Sequence, residues 1–300
     1  MSIVVKNITK LYGAQKALNE VSFEVASSQI IGFLGPNGAG KSTMMKILTC
    51  YIPPSSGSAE VCGYNIATDS MEVRKNIGYL PEHNPLYLDM YVKEFLEFVG
   101  GIYKIKNIRG RVGEMIKLTG LEAEQKKKIG ALSKGYRQRV GLAQAMIHDP
   151  KVLIMDEPTT GLDPNQLEEI RALIKSLGKE KTVMLSTHIM QEVEAICDRV
   201  IIINKGEIVA NDITRNLQQH ASRQIVTVEF DKPCDEDKIR GLMGLQEAVK
   251  LGETTWKLIS SEEQDLRKVL FDFAVANGLS VLTLHKEEQK MEDVFKQLTR

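Results

Sequence analysis

Residues 35–43 read GPNGAGKST: glycines alternate with small or kinked residues, then come a lysine and two hydroxyl side chains. A run of this kind, leaving a strand and opening a helix, is built to hold phosphate. Gly35, Gly38 and Gly40 let the backbone turn through positive φ, so the loop Gly35-Pro36-Asn37-Gly38-Ala39-Gly40 can press its amides against phosphate oxygens. The helix that follows adds unpaired N–H groups and the positive end of its dipole. Lys41 supplies a point charge to β- and γ-phosphates, the Ser42 hydroxyl can ligate Mg²⁺, and Thr43 completes the motif. A glycine-rich turn without a ligand is the bland alternative, and the flanking strand and helix argue against it.

Residues 152–158, VLIMDEP, form an apolar run ending in two carboxylates. Asp156 falls at the C-terminal end of a strand, where open parallel sheets bind ligands, and is placed to hold a Mg²⁺ shell. Neighbouring strand residues face opposite ways, so Glu157 is expected to take a different role, as the base for an attacking water. His188 follows another strand, VMLS. A histidine there can hydrogen-bond a γ-phosphate and sense its loss, or simply cap and pack.

The elements needed to position these groups are legible around them. Ile3 to Leu11 and Leu18 to Val25 read as strands with a turn at Tyr12-Gly13, and Gln29 to Leu34 is a strand feeding the glycine loop. Ser42 to Leu48 reads as the helix after it. Helical spacing dominates from about residue 90 to 147, and strands and helices then alternate through Asn204, the pattern of a parallel α/β core. Beyond it, Ile225–Phe230, Ala248–Leu251, Thr255–Ile259 and Leu279–Leu284 read as strands, Leu266–Ala276 and Met291–Leu298 as helices. The expected boundaries are 1–216 for a nucleotide-binding domain with a helical insertion at about 90–147, and 217–300 for an accessory α+β domain.

Taken in order, these motifs resemble the ATP-binding subunits of ABC transporters. Residues 132–139, LSKGYRQR, stand where that family has its signature sequence. Ser133 can cap a helix beginning near Gly135, which makes an anion site. The resemblance implies that Ser133 and Gly135 touch the γ-phosphate held by a second subunit, so that two ATP molecules lie between two chains. It further implies that Tyr12 stacks on adenine, that Asp163 of Gly161-Leu162-Asp163 crosses the dimer interface, and that His188 is the switch histidine. Lys134 and Tyr136 stand where the family usually has glycine and glutamine. Glu82, in YLPEH, stands where many relatives carry glutamine; a carboxylate oxygen ligates Mg²⁺ equally well.

The implied fold is α/β, a P-loop NTPase of ABC type with a parallel-sheet core, an N-terminal antiparallel β element and a helical insertion, plus a small C-terminal α+β domain. The implied cofactors are ATP and Mg²⁺, and the implied enzyme is an Mg-dependent ATP hydrolase. Its partners would be a second copy on ATP binding (or a similar subunit) and transmembrane permease subunits. Through those it would sit in the cytoplasm as a peripheral protein on the inner face of the cytoplasmic membrane. LSKGYRQR, YLPEH and the ending MEDVFKQLT resemble the export-like, ABC-2-type bacterial group, and within it the gliding-motility-associated ATPase subunits of Bacteroidetes.

Composition trims the other classes. Lys plus Arg equals Asp plus Glu at 39 each, so a nucleic-acid coat is not expected. Runs such as Val200-Ile201-Ile202-Ile203 are too short to span a bilayer, and MSIVVKNITK has no signal-peptide pattern. Cys50, Cys62, Cys197 and Cys234 form no CxxC pair and read as reduced, mostly buried thiols. Lys126-Lys127-Lys128 reads as a solvated face. Asn204-Lys205-Gly206-Glu207 superficially resembles a guanine-reading tetrad but ends in Glu and reads as a turn. The alternative function is a non-transport soluble ABC ATPase in translation or DNA maintenance, against which stand the single GKS loop and the lack of sustained heptads.

Overall fold

The computed structural model describes residues 1–214, 224–242, 244–260 and 265–288, with Phe295 and Thr299. The chain divides into two compact units, Met1–Thr214 and Arg215–Leu298.

In the first unit, β1 (Ile3–Tyr12) and β2 (Gln15–Val25) form a hairpin through Gly13 at φ 58°, with Tyr12 opposite Gln15. With β4 (Ser56–Val61) and β5 (Tyr64–Asn65) they make an antiparallel sheet in the order β2-β1-β4-β5. The second sheet holds β3 (Ile30–Leu34), β6 (Ile77–Leu80), β7 (Val152–Asp156), β8 (Thr182–Thr187) and β9 (Arg199–Asn204) in parallel, with β10 (Glu207–Ile213) antiparallel at one edge. Its order is β10-β9-β3-β8-β7-β6. Every residue of β3, β7 and β8 is buried, which is why these strands read as continuous apolar runs. The tetrapeptide at Asn204 is a turn, as expected: Lys205 and Gly206 both have positive φ, the conformation that matches the twist of a two-residue hairpin.

Helix α1 (Lys41–Leu48) follows β3 directly, and α2 (Ser70–Asn76) precedes β6. The helical stretch contains α3 (Val92–Ile102), α4 (Ile108–Leu118) and α5 (Lys134–Met146). Helices α6 (Pro164–Gly178) and α7 (Met190–Ile196) connect the later strands. The sequence did not announce β4, β6 and α2. They are short, and β4 buries only Ala59 and Val61, too few for a periodic signal. This is the mixed α/β fold with a parallel core expected from the motifs.

The second unit is a four-stranded antiparallel sheet in the order β12-β13-β11-β14, from β11 (Gln224–Phe230), β12 (Leu245–Lys250), β13 (Thr255–Ser260) and β14 (Val281–Glu288). Helices Glu236–Arg240 and Leu266–Ala276 connect the strands as split βαβ units. Alternate residues, Val226, Val228 and Phe230 with Trp256 and Leu258, build its core against Leu270 and Phe273. The shorter helix was not expected, and the helix expected over Met291–Leu298 falls outside the described residues except for Phe295. All four cysteines are free, but only Cys197 is buried; the other three are half-buried, at odds with mostly buried thiols.

Candidate active site

The phosphate loop leaves the fully buried β3 and enters α1, whose N-terminus has no side-chain cap and no acidic residue in its first turn. Those amides stay available to an anion. Gly38 and Gly40 have φ of 80° and 109°, as the sequence led one to expect. Gly35 does not; its glycine is required for a different reason. A Cβ there would lie 2.4 Å from the carbonyl oxygen of Ile203, so β9 passes too close for any side chain.

Lys41 is 6% exposed and folds back on the loop, donating to Gly35 O at 2.8 Å and Pro36 O at 3.2 Å. Its Nζ lies 3.6 Å from Glu157 Oε1. A buried ammonium needs such partners until a phosphate replaces them. Glu157, 7% exposed, receives His188 Nδ1–H at 3.0 Å on both carboxylate oxygens and the Thr160 hydroxyl at 3.1 Å.

Strand alternation does not set Asp156 and Glu157 apart. Strand β7 ends at Asp156, and Glu157 turns out of it with φ of 49°, a left-handed conformation that costs any residue with a Cβ. Its N–H is held by Ser186 through the side-chain oxygen at 3.1 Å and the carbonyl at 3.2 Å. The separation comes from that turn, not from strand pleating. Asp156 Oδ1 accepts from Ser42 Oγ at 3.1 Å and from Ser186 Oγ.

A cleft of about 550 Å³ brings together Tyr12, Asn37, Gly38, Gly40, Lys41, Ser42, Thr43, Glu82, Glu157 and His188. Gly35, Pro36 and buried Ala39 lie behind it as the loop's frame. Tyr12 is 52% exposed, with Lys10 Nζ over its ring at 5.4 Å from the centroid. Gln15, Ala17 and Thr160 also line the cleft. The sequence reading missed them, and it missed Ser186 as the clamp on the Asp156 carboxylate and the Glu157 amide. A hydroxyl three residues after Glu157 and a serine ending the VMLS strand were the available signals.

Ser133, Gly135 and Asp163 are not in this cleft. Ser133 caps α5, accepting from Tyr136 N at 3.4 Å, so the helix opens at Lys134. Gly135 leaves room for Gln166, whose Oε1 would be 2.3 Å from a Cβ. Asp163 is exposed and caps α6 by accepting from Gln166 N at 2.9 Å.

Two further clefts, each about 470 Å³, adjoin the loop after β6. One is lined by Ser42, Glu82, Asp156, Tyr79 and Gln144 among others. Burial, with Asp156, Tyr51 and Glu82 nearby, pushes the Tyr79 phenol well above its ordinary range. The other is an aromatic groove with Tyr51, Tyr87, Phe95, Phe98 and Tyr103. Ser42, Asp156 and Glu82 line the Tyr79 cleft together and bring hard oxygen donors to it, a set whose chemistry fits a magnesium-sized ion.

The family model for ABC transporter matches residues 18–160. The bacitracin transport ATP-binding protein of Bacillus licheniformis is 34% identical over 304 residues, 99% of this chain and 98% of that protein. Nod factor export ATP-binding protein I of Ralstonia nicotianae is 33% identical over 307 residues, 98% of this chain and 92% of that protein. A solved ATP-binding cassette, dimeric and in a post-hydrolysis state with ADP and Pi, matches with a TM-score of 0.65 at 28% identity, across 71% of this chain and 99% of that one. Near end-to-end similarity to such proteins, joined to a phosphate loop that shares one cleft with a clamped glutamate and a histidine, places this chain in the ABC transporter ATP-binding family, whose members hydrolyse ATP.

Proposed function

We propose that the chain energises an export-type membrane transporter by Mg²⁺-dependent ATP hydrolysis in the cleft built on Lys41, Glu157 and His188. The observation that carries this reading is the strained, buried Glu157, gripped by Lys41, His188 and Thr160 at the mouth of the phosphate loop. A carboxylate held there is aimed to orient or deprotonate a water beside a terminal phosphate. Lys41 exchanges its loop carbonyls for β- and γ-oxygens. His188 spends Nδ1 on Glu157 and keeps Nε2 for the γ-phosphate. Tyr12 stacks on the base. Ser42, Asp156 and Glu82 would hold the Mg²⁺, which supplies charge neutralisation on the phosphates.

The reading continues to a second copy, or a similar subunit, as partner. Ser133 sits at an exposed helix N-terminus outside its own cleft, with buried Gly135 two residues on against Gln166, and Asp163 lies on an exposed loop, as groups that complete a neighbour's site would. A transmembrane permease segment fits the aromatic groove. Among the described residues no helix is long and apolar enough to cross a membrane, so attachment to the inner face of the cytoplasmic membrane falls to that partner. Export is supported by the named function of the Ralstonia relative. A link to gliding motility is supported only by the resemblance of LSKGYRQR, YLPEH and the C-terminal motif, and loss of gliding on deletion of the gene tests it.

The central test is Glu157→Gln. ATP affinity is expected to stay within about threefold, while turnover falls by roughly 10²–10⁴. Near-normal turnover in this variant sinks the assignment of Glu157.

A further inference from the structure

Ser42 and Glu82 line both the nucleotide cleft and the cleft behind it, whereas Asp156 lines only the second. Asp156 is 3% exposed. Its Oδ1 is taken by the Ser42 and Ser186 hydroxyls, and Oδ2 makes no hydrogen bond among the described residues. Asn84 Nδ2 and Gln144 Oε1, on residues that also line this second cleft, are buried with no partner among the described residues. Asn84 reaches that position because residue 141 is glycine: a Cβ there would lie 1.5 Å from Nδ2. The second cleft, about 470 Å³ and bordered by exposed Lys46, Tyr51 and His83, is open to water up to the three oxygen donors that line it.

A nucleotide in the first cleft covers one side of those donors. Mg²⁺ keeps several waters when bound and sheds them reluctantly, so its remaining coordination needs a wet space that the nucleotide does not fill. The second cleft is that space. Asp156 is the buried part of its lining, and Glu82, Lys46 and His83 are exposed around it. Lys46 makes no ion pair among the described residues, so its full charge opposes an arriving cation.

Resting on the metal and nucleotide assignment above, we infer that divalent cations enter and leave Ser42, Asp156 and Glu82 through this second cleft while nucleotide is bound, and that Lys46 limits their entry. The cleft is thus a cation port, separate from the opening the nucleotide uses.

The test follows Mn²⁺ as the probe in the full-length Glu157→Gln protein loaded with ATP. Association is read by stopped flow and release by a chase with excess chelator. Lys46→Glu is expected to speed Mn²⁺ association about tenfold at low ionic strength, an effect that fades by roughly 0.5 M salt. His83→Trp, which adds bulk at the exposed rim, is expected to slow association and release by one common factor. Mn²⁺ affinity and the rate of nucleotide release should then be unchanged, the signature of a path and not of a ligand. Rates identical to the parent in both variants overturn the inference, as does Mn²⁺ release that changes only together with nucleotide release. A parent protein that holds no Mn²⁺ with ATP would refute the metal assignment itself, and the inference with it.

Discussion

Glu157 in the cleft and Gly35 in the frame behind it are both tightly constrained in their backbone. Glu157 holds a left-handed φ that its side chain disfavours, kept in place by two acceptors on Ser186. Strain of this kind persists where the surroundings over-determine it, and here they also fix the carboxylate between Lys41 and His188. Gly35 is constrained by space. Gly35→Ala must push β3 from β9, since its methyl would meet Ile203 O at 2.4 Å. The expected cost is about 1–3 kcal/mol in urea unfolding, with weakened ATP binding. An unchanged unfolding midpoint would show that the strands give way freely. His148 offers a pH test. Its Nε2–H bonds Ile77 O at 3.0 Å and its ring stacks on Tyr103 at 4.1 Å. Burial lowers its pKa, and the nearby Arg111 works in the same direction. The unfolded chain therefore takes up a proton near pH 6.5 that the folded chain refuses, so stability present above that pH is lost as pH falls through it. The unfolding midpoint should drop more between pH 8 and pH 5.5 in the wild type than in His148→Gln. Parallel pH curves would remove His148 as the cause.

At the scale of elements, the loop between β6 and α3 splits its apolar residues in two. Leu86 is 8% exposed and belongs to the core, while Tyr87 and Leu88 are 54% and 50% exposed. Tyr87 rests its ring against Phe95 and Phe98 of α3, at 5.9 and 5.8 Å, and forms a wall of the aromatic groove. Large exposed aromatics around a groove suit a docking partner better than water does. Tyr87→Asp is expected to leave folding and basal ATPase activity near normal, because the side chain already faces solvent. It should abolish recovery of the subunit with membranes. Unfolding of that variant would make Tyr87 a core residue and end the docking assignment.

For the molecule as a whole, the groups proposed to read a neighbour's phosphate lie apart from the cleft of their own chain. The Glu157→Gln protein should therefore be monomeric alone and dimeric with ATP, as seen by sedimentation. Ser133→Arg, which puts a long side chain at the exposed start of α5, should block the transition while nucleotide binding to the monomer survives. Dimerisation that ignores ATP, or persists in Ser133→Arg, would contradict the shared-site arrangement.

What the sequence by itself determined are the features whose physics is local. A glycine loop between a strand and a helix is set by contiguous residues, so GPNGAGKST declared the positive-φ turns at Gly38 and Gly40 and the helix that follows. Continuous apolar runs declared β3, β7, β8 and β9 because strands buried on both faces have no other composition open to them. The tertiary structure decided whatever depends on residues far apart in the chain. Ser42 meets Asp156 across 114 positions, and His188 meets Glu157 across 31. The role of Gly35 is set by β9, well over a hundred residues away, and no local pattern could assign it. The second cleft, Ser186 as clamp and the strand order of the C-terminal unit are of the same kind. Periodicity tells a strand which face is buried, but which neighbour it meets is chosen only when the sheets assemble.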